Sequence, residues 1–143
     1  MKVFLSSTFS DLVAEREAVL KALRKKRQSV LAMEDFLATP STPLDIALQH
    51  VRASDVFILV IGFKAGSLLP NHSGMTYTSA EYAEAVKLRR HVLAFVKEVK
   101  RWPWSSRKEW LNKERSRVKA DALANFRSDV GSKGCVANFR VAG

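Results

Sequence analysis

The sequence predicts an α/β protein: a parallel sheet of about five strands with helices on both faces. Three observations carry this expectation. Short apolar runs alternate with amphipathic stretches along the chain, the pattern of repeated βαβ units. The central run, Val56-Phe57-Ile58-Leu59-Val60-Ile61, has no polar position to mark a solvent face, as in a strand covered on both sides. Loop residues follow the apolar runs, such as Ser6-Ser7-Thr8 after the first and Gly62, Gly66, Pro70, Asn71 and Gly74 after the central one.

The first strand is Lys2-Val3-Phe4-Leu5. Thr8-Phe9-Ser10-Asp11 has the form of a capping box and predicts a helix from about Ser10 to Lys26. The inner stripe of that helix is Leu12, Val19, Leu20 and Leu23, and Arg16 falls on it. A cation there either snorkels to the edge or is kept to hold an anion, and snorkelling is the commoner solution. Ser29 to Met33 is the second strand, with Glu34-Asp35 beyond its end. Thr42-Pro43-Leu44-Asp45 supplies an N-cap, a proline at the first helical position and an acid at the third, for a helix ending near Ala53.

The central strand follows, then a long loop, then Thr78-Ser79-Ala80-Glu81, which reads as a capping box opening a helix to about Arg90. His91 to Val96 is the fourth strand. Trp102-Pro103-Trp104 marks a turn, and Ser106-Arg107-Lys108-Glu109 caps a helix that turns Trp110, Leu111, Val118, Ala122 and Phe126 toward the core. Gly131 and Gly134 bracket a break before a last strand between Cys135 and Val141. The expected strand order is flavodoxin-like, 2-1-3-4-5, which sets the ends of the first and third strands side by side at the switch point where such sheets bind ligands. The expectation is one domain over residues 1–143, from the N-terminal part of a longer protein.

One cysteine, Cys135, leaves no internal disulfide, and no apolar run approaches membrane-spanning length, so a cytoplasmic protein is expected. The chain carries 24 basic and 14 acidic residues, a net charge of +10, with much of the excess between Val86 and Arg127. Such a face serves solubility first; nucleic acid, a phosphate-bearing ligand or an acidic partner comes after. His50, His72 and His91 share no metal-site spacing with each other or with Cys135, and neither a Ser-His-Asp set nor a phosphate-binding Gly-Lys-Ser loop is present.

The candidate site is the crevice between Ser6, Ser7, Thr8 and Phe9 on one side and Gly62, Phe63 and the Glu81 helix on the other. Two helix N-termini and the hydroxyls favour an anion, so a nucleotide is a natural ligand. Glu81, in the first turn of its helix, is expected to stay ionised, which suits a nucleophile or a stabiliser of positive charge at a sugar's anomeric carbon. A glutamate three residues after Thr78 is also what a capping box requires, and pattern alone favours that plainer role. Glu34 and Asp35, at a strand's carboxyl end, can bind a ribose hydroxyl or equally sit in a solvated loop, and Asp55, before its strand, reads as structural.

With these residues set out, the chain resembles an uncharacterised Toll/interleukin receptor (TIR)-like family found at the N-terminus of NACHT and other STAND-type NTPases. Val3-Phe4-Leu5-Ser6-Ser7-Thr8-Phe9-Ser10-Asp11-Leu12 with Glu15-Arg16 carries the likeness, followed in order by Met33 to Phe36, Ser54 to Val56, Gly62 to Ser67, and Thr78 to Ala85. Where that family usually has an aromatic residue before the glycine of the central loop, this chain has Ala65 before Gly66. The resemblance implies a flavodoxin-like TIR fold and a role in signalling or antiphage defence. Catalytic TIR domains cleave NAD at the nicotinamide–ribose bond with a glutamate on the helix after the central strand, and Glu81 sits at the matching place. Nucleoside deoxyribosyltransferases, similar in fold, pair such a glutamate with a small residue four positions on, as Glu81 and Ala85 stand here. Two expectations follow. In one, the chain hydrolyses the N-glycosidic bond of NAD or a related nucleotide, with Glu81 catalytic and Ser6 to Phe9, Arg16, Glu34, Gly62, Phe63 and Tyr82 around the ligand; NAD is then a substrate and no cofactor is needed. In the other, it is a non-catalytic module acting by self-association or partner binding.

Overall fold

The computed structural model describes residues 1–7, 12–32, 43–66, 68–69, 75–97, 117–133 and 136–139. Its five strands are β1 (Lys2–Ser7), β2 (Ser29–Ala32), β3 (Val56–Ile61), β4 (His91–Lys97) and β5 (Val136–Phe139), and its four helices are α1 (Val13–Lys25), α2 (Pro43–Ala53), α3 (Tyr77–Lys87) and α4 (Arg117–Lys133). The strands form one sheet in the order β2-β1-β3-β4-β5, and every pairing is parallel. That is the expected topology. No helix among the described residues is long and apolar enough to cross a membrane.

Strand alternation divides the core in two. Phe4, Phe57, Leu59, Ile61, Ala94 and Val96 face one side, where Ala47 and Val51 of α2, Tyr82 and Ala85 of α3, and Leu123, Phe126 and Val130 of α4 cover them. Val3, Leu5, Ile58 and Val60 face the other side, against Leu12 and the α1 residues Val19, Leu20 and Leu23. Phe4 and Phe57 are register partners in β1 and β3, and their rings stack 5.5 Å apart at 7°. This central pair ties the two strands that carry the candidate site. Asp55 is structural, as expected: it accepts the Lys2 backbone N–H at 2.8 Å and fixes the start of β1 beside β3.

Several boundaries differ from the sequence expectation. The N-cap of α1 is Leu12, with no side-chain cap, so the helix starts at Val13. The expected capping box at Thr8–Asp11 lies outside the described residues, as do Glu34-Asp35, the Trp102–Trp104 turn, the Ser106 cap, Trp110-Leu111 and Cys135. In α4, Ala122 and Phe126 are buried, but Val118 is 53% exposed and does not reach the core. Gly131 does not break the chain; it lies inside α4, where an added Cβ would meet open space.

Helices α1 and α3 end in the same way. Arg27 N–H bonds to Arg24 C=O and Gln28 N–H to Leu23 C=O; Arg89 N–H bonds to Val86 C=O and Arg90 N–H to Ala85 C=O. These are two Schellman motifs, each with an arginine at the left-handed position that glycine usually fills, at φ 54° in both. Holding a side chain there costs about 1 kcal/mol relative to glycine.

Candidate functional site

The last two residues of β1 are serines, and the pleat sends them to opposite faces of the sheet. Both are buried. Ser6 follows Phe4 toward α3, where its hydroxyl donates to Glu81 Oε2 at 2.5 Å. Ser7 follows Leu5 toward α1, where its hydroxyl oxygen accepts from Arg16 Nη1. Glu81 and Arg16, each only 2% exposed, thus reach the end of the same strand from opposite sides. Sequence spacing allowed Arg16 to snorkel. It does not, because Ser7 takes its guanidinium inside.

The helix that carries Glu81 starts earlier than the sequence pattern suggests. Its N-cap is Thr76, held in extended conformation by the antiparallel bridge from Leu68 and by the Leu69 N–H bond to Met75 C=O. The reciprocal pair is Thr76 with Ser79: Ser79 N–H donates to Thr76 Oγ1 at 3.1 Å, and Thr76 N–H to Ser79 Oγ at 3.0 Å. The expected box of Thr78 and Glu81 is therefore corrected by two residues. Glu81 stands at the fifth helical position and caps nothing; its side chain is turned onto β1.

The expected ionised state is corrected as well. Burial raises the Glu81 carboxyl from its ordinary 4.5 to about 7, with the Ser6 hydrogen bond and the Arg16 charge pulling it partway back. Its second oxygen, Oε1, is buried without a hydrogen-bond partner among the described residues. Near neutral pH this carboxyl exchanges protons readily, and one of its oxygens is uncommitted. A group of that kind can take a proton from a bound water, or ionise in response to a cation placed beside it.

Other expected site residues lie around the same edge. Gly62 follows β3, and its carbonyl accepts from Arg127 Nη1 at 2.7 Å; Arg127 Nη2 donates to the Lys97 carbonyl at 2.8 Å. This α4 arginine joins the ends of β3 and β4. Phe63 lies on the α1 side with Lys97 Nζ 5.5 Å from its ring centroid, and that same ammonium donates to Glu15 Oε1 at 2.7 Å. Burial pushes the Glu15 carboxyl up, but the Lys97 hydrogen bond, its own backbone and the Lys97 charge together hold it below the usual range. Tyr82 lies in the core, with Phe57 at 6.5 Å and Phe126 at 5.5 Å between ring centroids. Thr8, Phe9 and Glu34 lie outside the described residues.

A shallow cleft, with room for little more than a water molecule, opens beside this edge between Ile61, Ala65, Thr76, Thr78, Leu123 and Phe126. Neither Glu81 nor Ser6 lines it, although Thr78 lies one helical turn before Glu81. Among the described residues no three His, Cys, Asp or Glu side chains gather as a metal site would require. Arg127 and the Glu15–Lys97 pair were not anticipated. Their partners are 30 to 82 positions away, and nothing local in the sequence announces them.

A search of the curated proteins finds no match to this chain. One family model does match, over residues 2–142, and its description is a domain of unknown function. That span covers β1 through β5 with Ser6, Ser7, Arg16 and Glu81, and the chain belongs to the DUF4062 family.

Proposed function

We propose that this chain is a TIR-like signalling or defence domain that hydrolyses the N-glycosidic bond of a nucleotide, NAD or a close relative, with Glu81 as the catalytic carboxylate. One observation carries the reading. Glu81 is a buried carboxyl at the β1–β3 edge, with Oε2 held by Ser6 and Oε1 unpartnered among the described residues, and no capping duty explains it.

In the reaction, the bond between the anomeric carbon and the nicotinamide nitrogen breaks and its electron pair leaves with the ring, which becomes neutral. The sugar is left as an oxocarbenium ion. The Glu81 carboxylate stabilises that charge, and then takes the proton of the water that attacks the anomeric carbon. The products are nicotinamide and the nucleotide with a new hydroxyl. A pKa of about 7 fits this use, since a cationic substrate favours the ionised form at the moment it is needed. Ser6 fixes the carboxyl's orientation. Arg16, behind Ser7, supplies positive charge that limits the rise in pKa.

A second reading is favoured by the same burial. At 2% exposure, Glu81 and Arg16 can serve as a polar tie between α1, β1 and α3, while Leu93 leaves apolar surface on β4 at 46% exposure. The chain would then be a non-catalytic TIR-like module acting by self-association or partner binding. Nicotinamide release from NAD by concentrated or artificially clustered protein, beside Glu81→Gln of matching far-UV circular dichroism, separates the two. Release by wild type, reduced at least 100-fold in the variant, supports the hydrolase. Equal silence from both, with other nucleotides tried, leaves the association module.

A further inference from the structure

The sheet edge opposite Glu81, where the strands begin and α1, α2 and α3 end, gathers exposed cations. Lys25 ends α1, Lys26 and Arg27 lie in the turn into β2, and β1 starts at Lys2. Arg52 lies in the last turn of α2 before β3, Lys87 ends α3, and Arg89 lies between α3 and β4 beside the half-buried Arg90, which donates to the Arg52 carbonyl at 2.8 Å. These positions follow one another along the rim. Lys2 pairs in register with Ser29, Asp55 N–H bonds to the Lys2 carbonyl, and Val56 pairs with His91. The row crosses three strand spacings, about 15 Å.

The acidic residues among them are engaged: Asp55 accepts from the Lys2 backbone at 2.8 Å, and Glu84 pairs with Arg52 at 2.8 Å. The side chains of Lys25, Lys26, Arg27, Lys87 and Arg89 are exposed and enter no ion pair among the described residues. At the Glu81 edge, by contrast, Arg16 is bound to Ser7, Lys97 to Glu15, and Arg127 to two carbonyls.

Helix C-termini attract cations, which accounts for Lys25 and Lys87 in their last turns. It does not account for Lys2 at a strand start. Nor does it account for Arg27 and Arg89, which occupy the left-handed position of two matching Schellman motifs at φ 54°. Glycine would fit there without strain. Both turns instead present a long cationic side chain to solvent.

We infer that this rim binds the phosphate backbone of duplex nucleic acid without reading its sequence. A row of flexible cations matches a rail of phosphates, and 15 Å of duplex axis carries about nine phosphate charges. Among the described residues the rim named here holds no Phe, Tyr or Trp, so it offers no large ring to stack along the bases of a single strand or to insert into a lipid interface.

Anisotropy of a fluorescein-labelled 20-base-pair DNA duplex, titrated with the protein between 50 and 200 mM salt, tests this. The expected log–log salt slope is about −4, the value for four to five phosphate contacts. Arg27→Gly combined with Arg89→Gly should weaken binding by about tenfold and flatten the slope by about 2, while the melting temperature stays level or rises. Lys25→Glu with Lys26→Glu should weaken it further. Absence of binding at 50 mM salt, a salt-independent signal, or rim variants that bind like wild type would each overturn the inference. So would capture by phosphatidylserine vesicles without capture by the duplex, which would give the rim to a membrane surface.

Discussion

The hydroxyl of Ser6 and the charge of Arg16 act on one carboxyl from opposite faces of β1, and substitutions separate them. Ser6→Ala removes the donor to Oε2, so the Glu81 pKa should move further above 7 and the stability should fall by about 1–2 kcal/mol. The pH dependence of nicotinamide release should then shift to higher pH with the same limiting rate. Arg16→Met leaves Ser7 Oγ and Glu81 without their cation. It should cost about 3 kcal/mol in urea denaturation, the usual consequence of breaking a buried polar tie. Part of this site was legible in the sequence. Arg16 stood on an apolar helical stripe, and Glu81 stood after the central strand. What could not be read was which way each side chain turns. The donor to Glu81 lies 75 positions away, and the hydroxyl that buries Arg16 is that of Ser7, which reads as loop in the sequence but is the last residue of β1.

The elements differ in how openly the sequence declares them. Strands β1, β3 and β4 were readable because unbroken apolar runs have few other uses. Helix ends were harder. Thr76, Thr78 and Ser79 all qualify as caps for α3, and the choice falls to Thr76 because the Leu68 bridge holds it extended. Thr76→Ala should therefore cost about 1 kcal/mol, whereas no capping loss is expected from changing Glu81. Thermal melts of Thr76→Ala and Glu81→Gln compare the two directly. The ends of α1 and α3 carried no glycine signal, since arginines fill the left-handed positions. The reverse error occurred at Gly131, where a glycine suggested a break but sits within α4 facing open space. Gly131→Ala should raise stability by about 0.5 kcal/mol, read as a small upward shift of the melt.

For the whole molecule, alternation of strands and helices was enough to give the sheet order, because right-handed crossovers leave few ways to wind such a chain. The charge distribution was less legible. Net charge counts residues, but only the fold puts the ends of α1, α2 and α3 on one edge. The raised pKa of Glu81 also has a global consequence. A carboxyl bound more tightly to its proton in the folded state stabilises the fold fully below about pH 4.5, and that contribution is lost as pH rises through about 7. The loss is on the order of 3 kcal/mol. Glu81→Gln should abolish this slope and be at least as stable as wild type at pH 8. Glu15 acts in the opposite sense and in a separate window: its lowered pKa stabilises the fold above about 4.5, and that is lost as pH falls below it.

The most direct measurement is a ¹³C NMR titration of the glutamate carboxyls in wild type and Glu81→Gln, with and without NAD. One carboxyl titrating near pH 7, missing from the variant and shifted to lower pH when NAD is present, is the predicted result. If every carboxyl titrates in the ordinary range, or the high one ignores NAD, Glu81 is not the group that meets the nucleotide.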